Sequence, residues 1–232
     1  MRAARAECRP LREAVMAAAR DGVCVPYVDR MRPALLRQCG GDASLVEEPV
    51  MYVGPDSLAL ADLASSLAKG KRVADVCAGS GVQGLVATRA GAASICWVEA
   101  EARAAAFCRL NGALNDVEGD VVVDRVNNVA DGTYDVILAN PPYVATPSSL
   151  SYEAFAAGGP DGYDVLKDVV TYAARHLAED GLLACVFELN GPPEALFAKV
   201  ALAWASGGSR SDRRNSRPAS HATADRDADQ PP

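Results

Sequence analysis

Short apolar runs alternate with longer mixed stretches through the middle of the chain. The runs at 71–77, 94–98, 120–123, 134–139 and 182–188 are dense in valine, leucine, isoleucine, alanine or cysteine and read as strands. Between them, 81–90, 100–114 and 163–177 read as helices, and 192–204 follows as another with proline in its first turn. Upstream, Leu58, Ala61, Leu63, Ala64 and Leu67 mark one helical face, which Gly70 ends; a link at 50–57 precedes it. Strands this short, separated by helices of this length, predict an α/β fold. The sheet is doubly wound, mostly parallel and covered on both faces.

The ends of the chain read differently. Residues 2–20 are rich in alanine, arginine and leucine and predict a helix stopped at Asp21-Gly22; 28–39 predicts a second, stopped by Gly40-Gly41. From 206 onward Ser, Gly, Arg, Asp, Ala and Pro leave almost nothing to bury, which predicts a disordered tail. The expected organisation is an N-terminal helical region at 1–49, a catalytic domain at 50–205 and a tail at 206–232.

Composition narrows the class. The chain has 232 residues, half of them hydrophobic, enough for one good core. Its formal net charge of -7 repels a phosphate backbone overall, although a local basic patch can still bind one. The seven cysteines (Cys8, Cys24, Cys39, Cys77, Cys96, Cys108 and Cys185) are odd in number and contain no C-x-x-C pair. That usage points to a reducing compartment, so a cytoplasmic location is expected. With two histidines, His176 and His221, and no thiolate cluster, no metal site is expected. No apolar run reaches the roughly 18 residues of a membrane span. The N-terminus lacks the apolar core of a secretory signal.

Two segments carry candidate chemistry. Ala78-Gly79-Ser80-Gly81 follows a strand and opens a helix, where glycines let the backbone turn tightly and approach a ligand closely. Asp75 lies within that strand, and a carboxylate so near a sheet core needs a partner. It can orient loop amides or attract a cationic ligand. Glu99 ends the next strand, 18 residues after Gly81, where an acid can accept from both hydroxyls of a ribose. Asp124, ending the third strand, can bond an adenine amino group; nearby Asp120 competes if the strand boundary slips. This set suits either a nicotinamide dinucleotide or S-adenosylmethionine, since both carry adenosine. No G-x-x-x-x-G-K-[ST] occurs.

Asn140-Pro141-Pro142-Tyr143 favours the second. The Asn140 side-chain oxygen and the Pro141 carbonyl can each accept one N–H of a planar amide or amino group. Pro142 restricts the backbone before it, and Tyr143 can stack on the planar group. Such a site works mostly by positioning two reactants.

On these motifs the stretch at about 50–204 resembles the class I S-adenosylmethionine-dependent methyltransferases of the N-P-P-Y group, with their Rossmann-like fold. Asp75 to Gly81 is similar to the family's cofactor loop, and Glu99 to its ribose-binding acid. Gly158-Gly159-Pro160-Asp161-Gly162-Tyr163-Asp164 further resembles a segment of the release-factor glutamine methyltransferases, which also carry a glutamate at the position of Glu188. That resemblance implies S-adenosylmethionine as cofactor. Asn140, Pro141 and Tyr143 become the catalytic residues, and Asp75, Ala78, Gly79, Gly81, Glu99, Asp124 and Asn140 the cofactor-binding ones. The implied substrate is the Gly-Gly-Gln loop of a peptide chain release factor, and the product N5-methylglutamine.

The chain departs from that family in two places. Val53 to Leu58 lacks the arginine and glutamate the family carries before its first sheet helix. Nothing after Ser206 reads as the two closing strands of this fold, so an open sheet edge with exposed apolar surface is expected. An RNA or DNA amino methyltransferase therefore stays open, with Arg20, Arg30, Arg32 and Arg37 available for a basic face. So does an inactive cofactor-binding partner subunit.

Overall fold

The computed structural model describes residues 50–51, 53–129, 132–150 and 152–208. The helices expected at 2–20 and 28–39, and nearly all of the expected tail, lie outside the described residues.

Helix α1 (Pro55–Leu67) starts earlier than its apolar face suggests. Gly54 is its N-cap and Pro55 takes the first turn, where a missing N–H and a preset φ do no harm. Part of the expected link is therefore helix. Then follow β1 (Arg72–Val76), α2 (Val82–Arg89), β2 (Ser94–Glu99), α3 (Ala102–Leu114), β3 (Asp120–Val123), β4 (Tyr134–Ala139), α4 (Asp164–His176), β5 (Leu177–Cys185) and α5 (Pro193–Ser206). Ser206, expected in the tail, still belongs to α5.

The five strands form one sheet in the order β3-β2-β1-β4-β5, and every neighbouring pair is parallel. This is the doubly wound α/β fold the sequence predicts. Successive strand residues point to opposite faces. Val73, Ile95, Val136 and Leu138 pack against Leu60, Ala64 and Leu85 of α1 and α2. Ala74, Val76, Val98 and Ile137 pack against Val169, Tyr172 and Ala173 of α4.

β5 differs from expectation. Its ladder pairs Tyr134 with Leu177 and then jumps to Val136 with Leu182. Ala178-Glu179-Asp180-Gly181 fills that irregularity. A polar stretch ending in Asp-Gly cannot alternate into two apolar layers, so it bulges while the flanking leucines pair. Among the described residues β5 is a sheet edge, and Leu182 and Phe187 beside it are exposed.

The chain runs outward from β1 to β2 and β3, then crosses back to place β4 on the other side of β1. At such a reversal the loops leaving the two central strands diverge, and a crevice opens beyond their C-terminal ends. Cys77–Gly81 leaves β1 there, and Asn140–Tyr143 leaves β4.

Candidate active site

The loop after β1 turns through alternating left-handed residues: φ is 55° at Cys77, 55° at Gly79 and 83° at Gly81. Gly81 is also the N-cap of α2. A Cβ there would lie 3.0 Å from Trp97 Nε1 and 3.2 Å from Cys108 Sγ, so both conformation and space require glycine. At Gly79 a Cβ would meet nothing within 4 Å.

Three consecutive loop carbonyls are tied back into the domain. Cys108 Sγ donates to Gly79 O (3.1 Å), Asn111 Nδ2 to Ser80 O (2.7 Å) and Trp97 Nε1 to Gly81 O (3.2 Å). Two carboxylates hold amides on the other side. Glu99 Oε2 accepts from Gly79 N–H (2.7 Å) while its Oε1 accepts from Glu101 N–H (2.9 Å). Asp75 Oδ2 accepts from Gly84 N–H in the first turn of α2 (2.9 Å). Burial pushes Asp75 up to about 8 against that hydrogen bond, and raises Glu99 against the two N–H groups it accepts. Cys77 keeps its proton, because burial and then Glu99 drive its thiol well above the ordinary range.

A cavity of about 620 Å³ opens over this loop. Ala78, Gly79, Glu99, Asp124 and Asn140 line it together. Asp124 Oδ1 accepts from Arg125 N–H (2.7 Å) and Asn128 Nδ2 (2.8 Å). Asp120 begins β3 opposite Cys96, at the far end of the strand, so the register brings Asp124 and not Asp120 to the crevice. Asp75 and Gly81 lie behind the wall and shape the loop from beneath. At the β4 exit the wall is Asn140 and Pro142; Pro141 is buried and Tyr143 half-buried outside the lining. Glu188 is exposed beyond the end of β5.

Asn140 is held through one end of its amide. Nδ2 donates to Asp56 Oδ2 (2.9 Å) and Ser57 Oγ (3.3 Å), both in the first turn of α1. Its Oδ1 is buried and, among the described residues, has no partner. A buried acceptor left empty is uncommon, and each instance calls for an explanation such as an unmade bond to a ligand. Sequence reasoning missed Asp56 and Ser57. The signal was there in Gly54-Pro55, a helix start that puts both residues in a first turn.

The methyltransferase small domain family matches residues 56–202. The chain belongs to this family. Release factor glutamine methyltransferase of Mycolicibacterium smegmatis is 32% identical over 133 residues, 53% of this chain and 47% of that protein. Its counterpart in Gloeobacter violaceus is 30% identical over 155 residues, 60% of this chain and 54% of that one. Ribosomal protein uL3 glutamine methyltransferase of Xanthomonas campestris is 38% identical over 90 residues, 35% of this chain and 29% of that one. The chain thus spans about half the length of the release-factor relatives it matches. Among solved structures, a ribosomal protein L11 methylase from Lactobacillus delbrueckii aligns over 66% of this chain and 69% of that one, at 22% identity and a TM-score of 0.48.

The cleft of this small-domain methyltransferase fits S-adenosylmethionine. Gly79 leaves open space where a side chain would intrude, the Glu99 carboxylate stands at the lip of the loop, and the cavity reaches from there to Asn140. Among the described residues no group of three or more His, Cys, Asp or Glu could hold a metal, and no helix is long and apolar enough to cross a membrane.

Proposed function

We propose that the chain transfers a methyl group from S-adenosylmethionine to the side-chain nitrogen of a protein glutamine, in a release factor or a similar translation protein. The observation that carries this is the buried, unpartnered Asn140 Oδ1 at the end of β4. It accepts one N–H of the incoming amide and aims its nitrogen into the cleft. Glu99 and Asp124 hold the adenosine end, and the Gly79 turn lets the backbone approach the ligand closely. When bound, S-adenosylmethionine supplies a methyl carbon already activated by its sulfonium. The protein's part is alignment of the two reactants.

Similarity to glutamine methyltransferases acting on two different translation proteins supports a glutamine amide as the common acceptor. Charge favours a protein over a nucleic acid. Among the described residues the cavity is lined by five acids (Glu99, Glu101, Asp124, Glu153, Asp168) and two arginines (Arg103, Arg125). A wall with that balance repels a phosphate backbone.

The test is incubation of the purified chain with methyl-labelled S-adenosylmethionine and, separately, release factor or total RNA. Label on a release-factor glutamine supports the proposal. Label in RNA alone overturns it.

A further inference from the structure

We propose that Asp56 is the positioning residue that decides which end of the Asn140 amide faces the acceptor. The proposal rests on the reading of Asn140 above and adds the device that makes it work.

An asparagine side chain is nearly symmetric in shape, but its two ends have opposite chemistry. One end accepts hydrogen bonds and the other donates them. Rotated by half a turn, Asn140 would present N–H groups to the substrate's own N–H and the site would repel what it must bind. Something must therefore fix the amide.

Among the described residues, two groups accept from its nitrogen. The Ser57 hydroxyl, at 3.3 Å, can accept or donate and so tolerates either orientation. The Asp56 carboxylate, at 2.9 Å, can only accept. It therefore demands the NH₂ end, and leaves Oδ1 as the end that remains buried and empty. The same carboxylate oxygen lies 3.4 Å from the Tyr143 hydroxyl, so one atom organises both ends of the Asn140–Tyr143 turn. Asp56 reaches this place because α1 begins at Pro55, and an acid in a first helical turn is favourably placed against the helix dipole.

The discriminating substitution is Asp56→Asn. It keeps size and removes the acceptor-only character. We expect kcat/KM for the acceptor to fall about 100-fold, the scale seen when one hydrogen-bonding group of a reaction site is lost, with the cofactor Kd little changed. Asp56→Glu, which keeps a carboxylate, retains more activity than Asp56→Asn. Ser57→Ala, which removes the tolerant partner, loses only a few-fold. A merely structural role would rank these variants by size change instead.

A second readout needs no turnover. In nitrogen-15 NMR spectra of the full chain with S-adenosylhomocysteine, the Asn140 side-chain NH₂ pair is identified by its loss in Asn140→Asp. We expect that pair to shift strongly in Asp56→Asn and less in Ser57→Ala, whose longer bond it also loses. Full acceptor kcat/KM in Asp56→Asn, or an Asn140 pair that does not move, overturns the proposal. A wild-type chain that methylates no acceptor while the pair still shifts in Asp56→Asn sinks the glutamine reading and leaves Asp56 as the residue that sets the amide.

Discussion

Gly84 is the position where local preference and tertiary packing disagree most sharply. It is the third residue of α2, and its N–H holds the buried Asp75 carboxylate. Helix propensity alone says that Gly84→Ala should stabilise the chain by about 1 kcal/mol. The packing says the reverse. A Cβ would lie 2.3 Å from Trp97 Nε1, 2.9 Å from Trp97 Cε2 and 2.9 Å from Ile95 Cδ1. The indole cannot step aside easily, because it is fully buried and its Nε1 donates to Gly81 O. Overpacking of this kind costs about 1–3 kcal/mol, and a lost indole hydrogen bond adds about 1 kcal/mol. The net expectation is a destabilisation of about 1–3 kcal/mol. At about 2–4 °C per kcal/mol for a domain of this size, the melting temperature falls by about 2–12 °C. Because the indole also holds a loop carbonyl, affinity for S-adenosylhomocysteine falls with it. Thermal melts and calorimetric titration of wild type and variant check both effects. An unchanged or raised melting temperature would refute the close α2–Trp97 contact and the account of how the loop is held.

Two further predictions follow from the buried carboxylates. Asp75 has a folded-state pKa of about 8, above its unfolded value of about 4, so the folded chain holds the extra proton between those values and stability falls as pH rises through that window. Asp75→Asn removes this contribution: the wild-type-minus-variant difference in unfolding free energy drops from pH 4 to pH 8, and a flat difference contradicts it. Glu99→Gln leaves one of the two N–H groups of Gly79 and Glu101 without its acceptor. S-adenosylhomocysteine affinity should fall about 10–100-fold, the loss expected for hydrogen bonds to a charged group, and titration calorimetry reads it directly.

Much of this molecule was legible in the order of its residues. The runs that became β3 and β4 have the bounds their apolar pattern predicts; β4 lies inside the covered parallel sheet, where strands are apolar on both faces and stand out from their surroundings. The loop glycines and Glu99 announced themselves by their distance from strand ends. β5 was harder. Its Ala178–Gly181 stretch looks like the end of a helix, and only pairing with β4 shows that Leu177 already belongs to the ladder. Asp75 was legible as a buried acid needing a partner, but not as the partner of Gly84. The tethers from Trp97, Cys108 and Asn111 join residues between 16 and 31 positions apart, which no local pattern encodes. Asp56 stayed hidden for a related reason. Its partner Asn140 is 84 residues away, and the first helical turn that aims it at Asn140 lies in the stretch that reads as a link.

The central claim is that this cleft methylates a glutamine amide through Asn140. Its most direct test is mass spectrometry of release factor after incubation with S-adenosylmethionine and either the wild-type chain or Asn140→Ala. We expect one methyl group on a single glutamine with wild type, and none with the variant although it still binds the cofactor. Equal methylation by both proteins, or none by a wild-type chain with cofactor bound, would contradict the account.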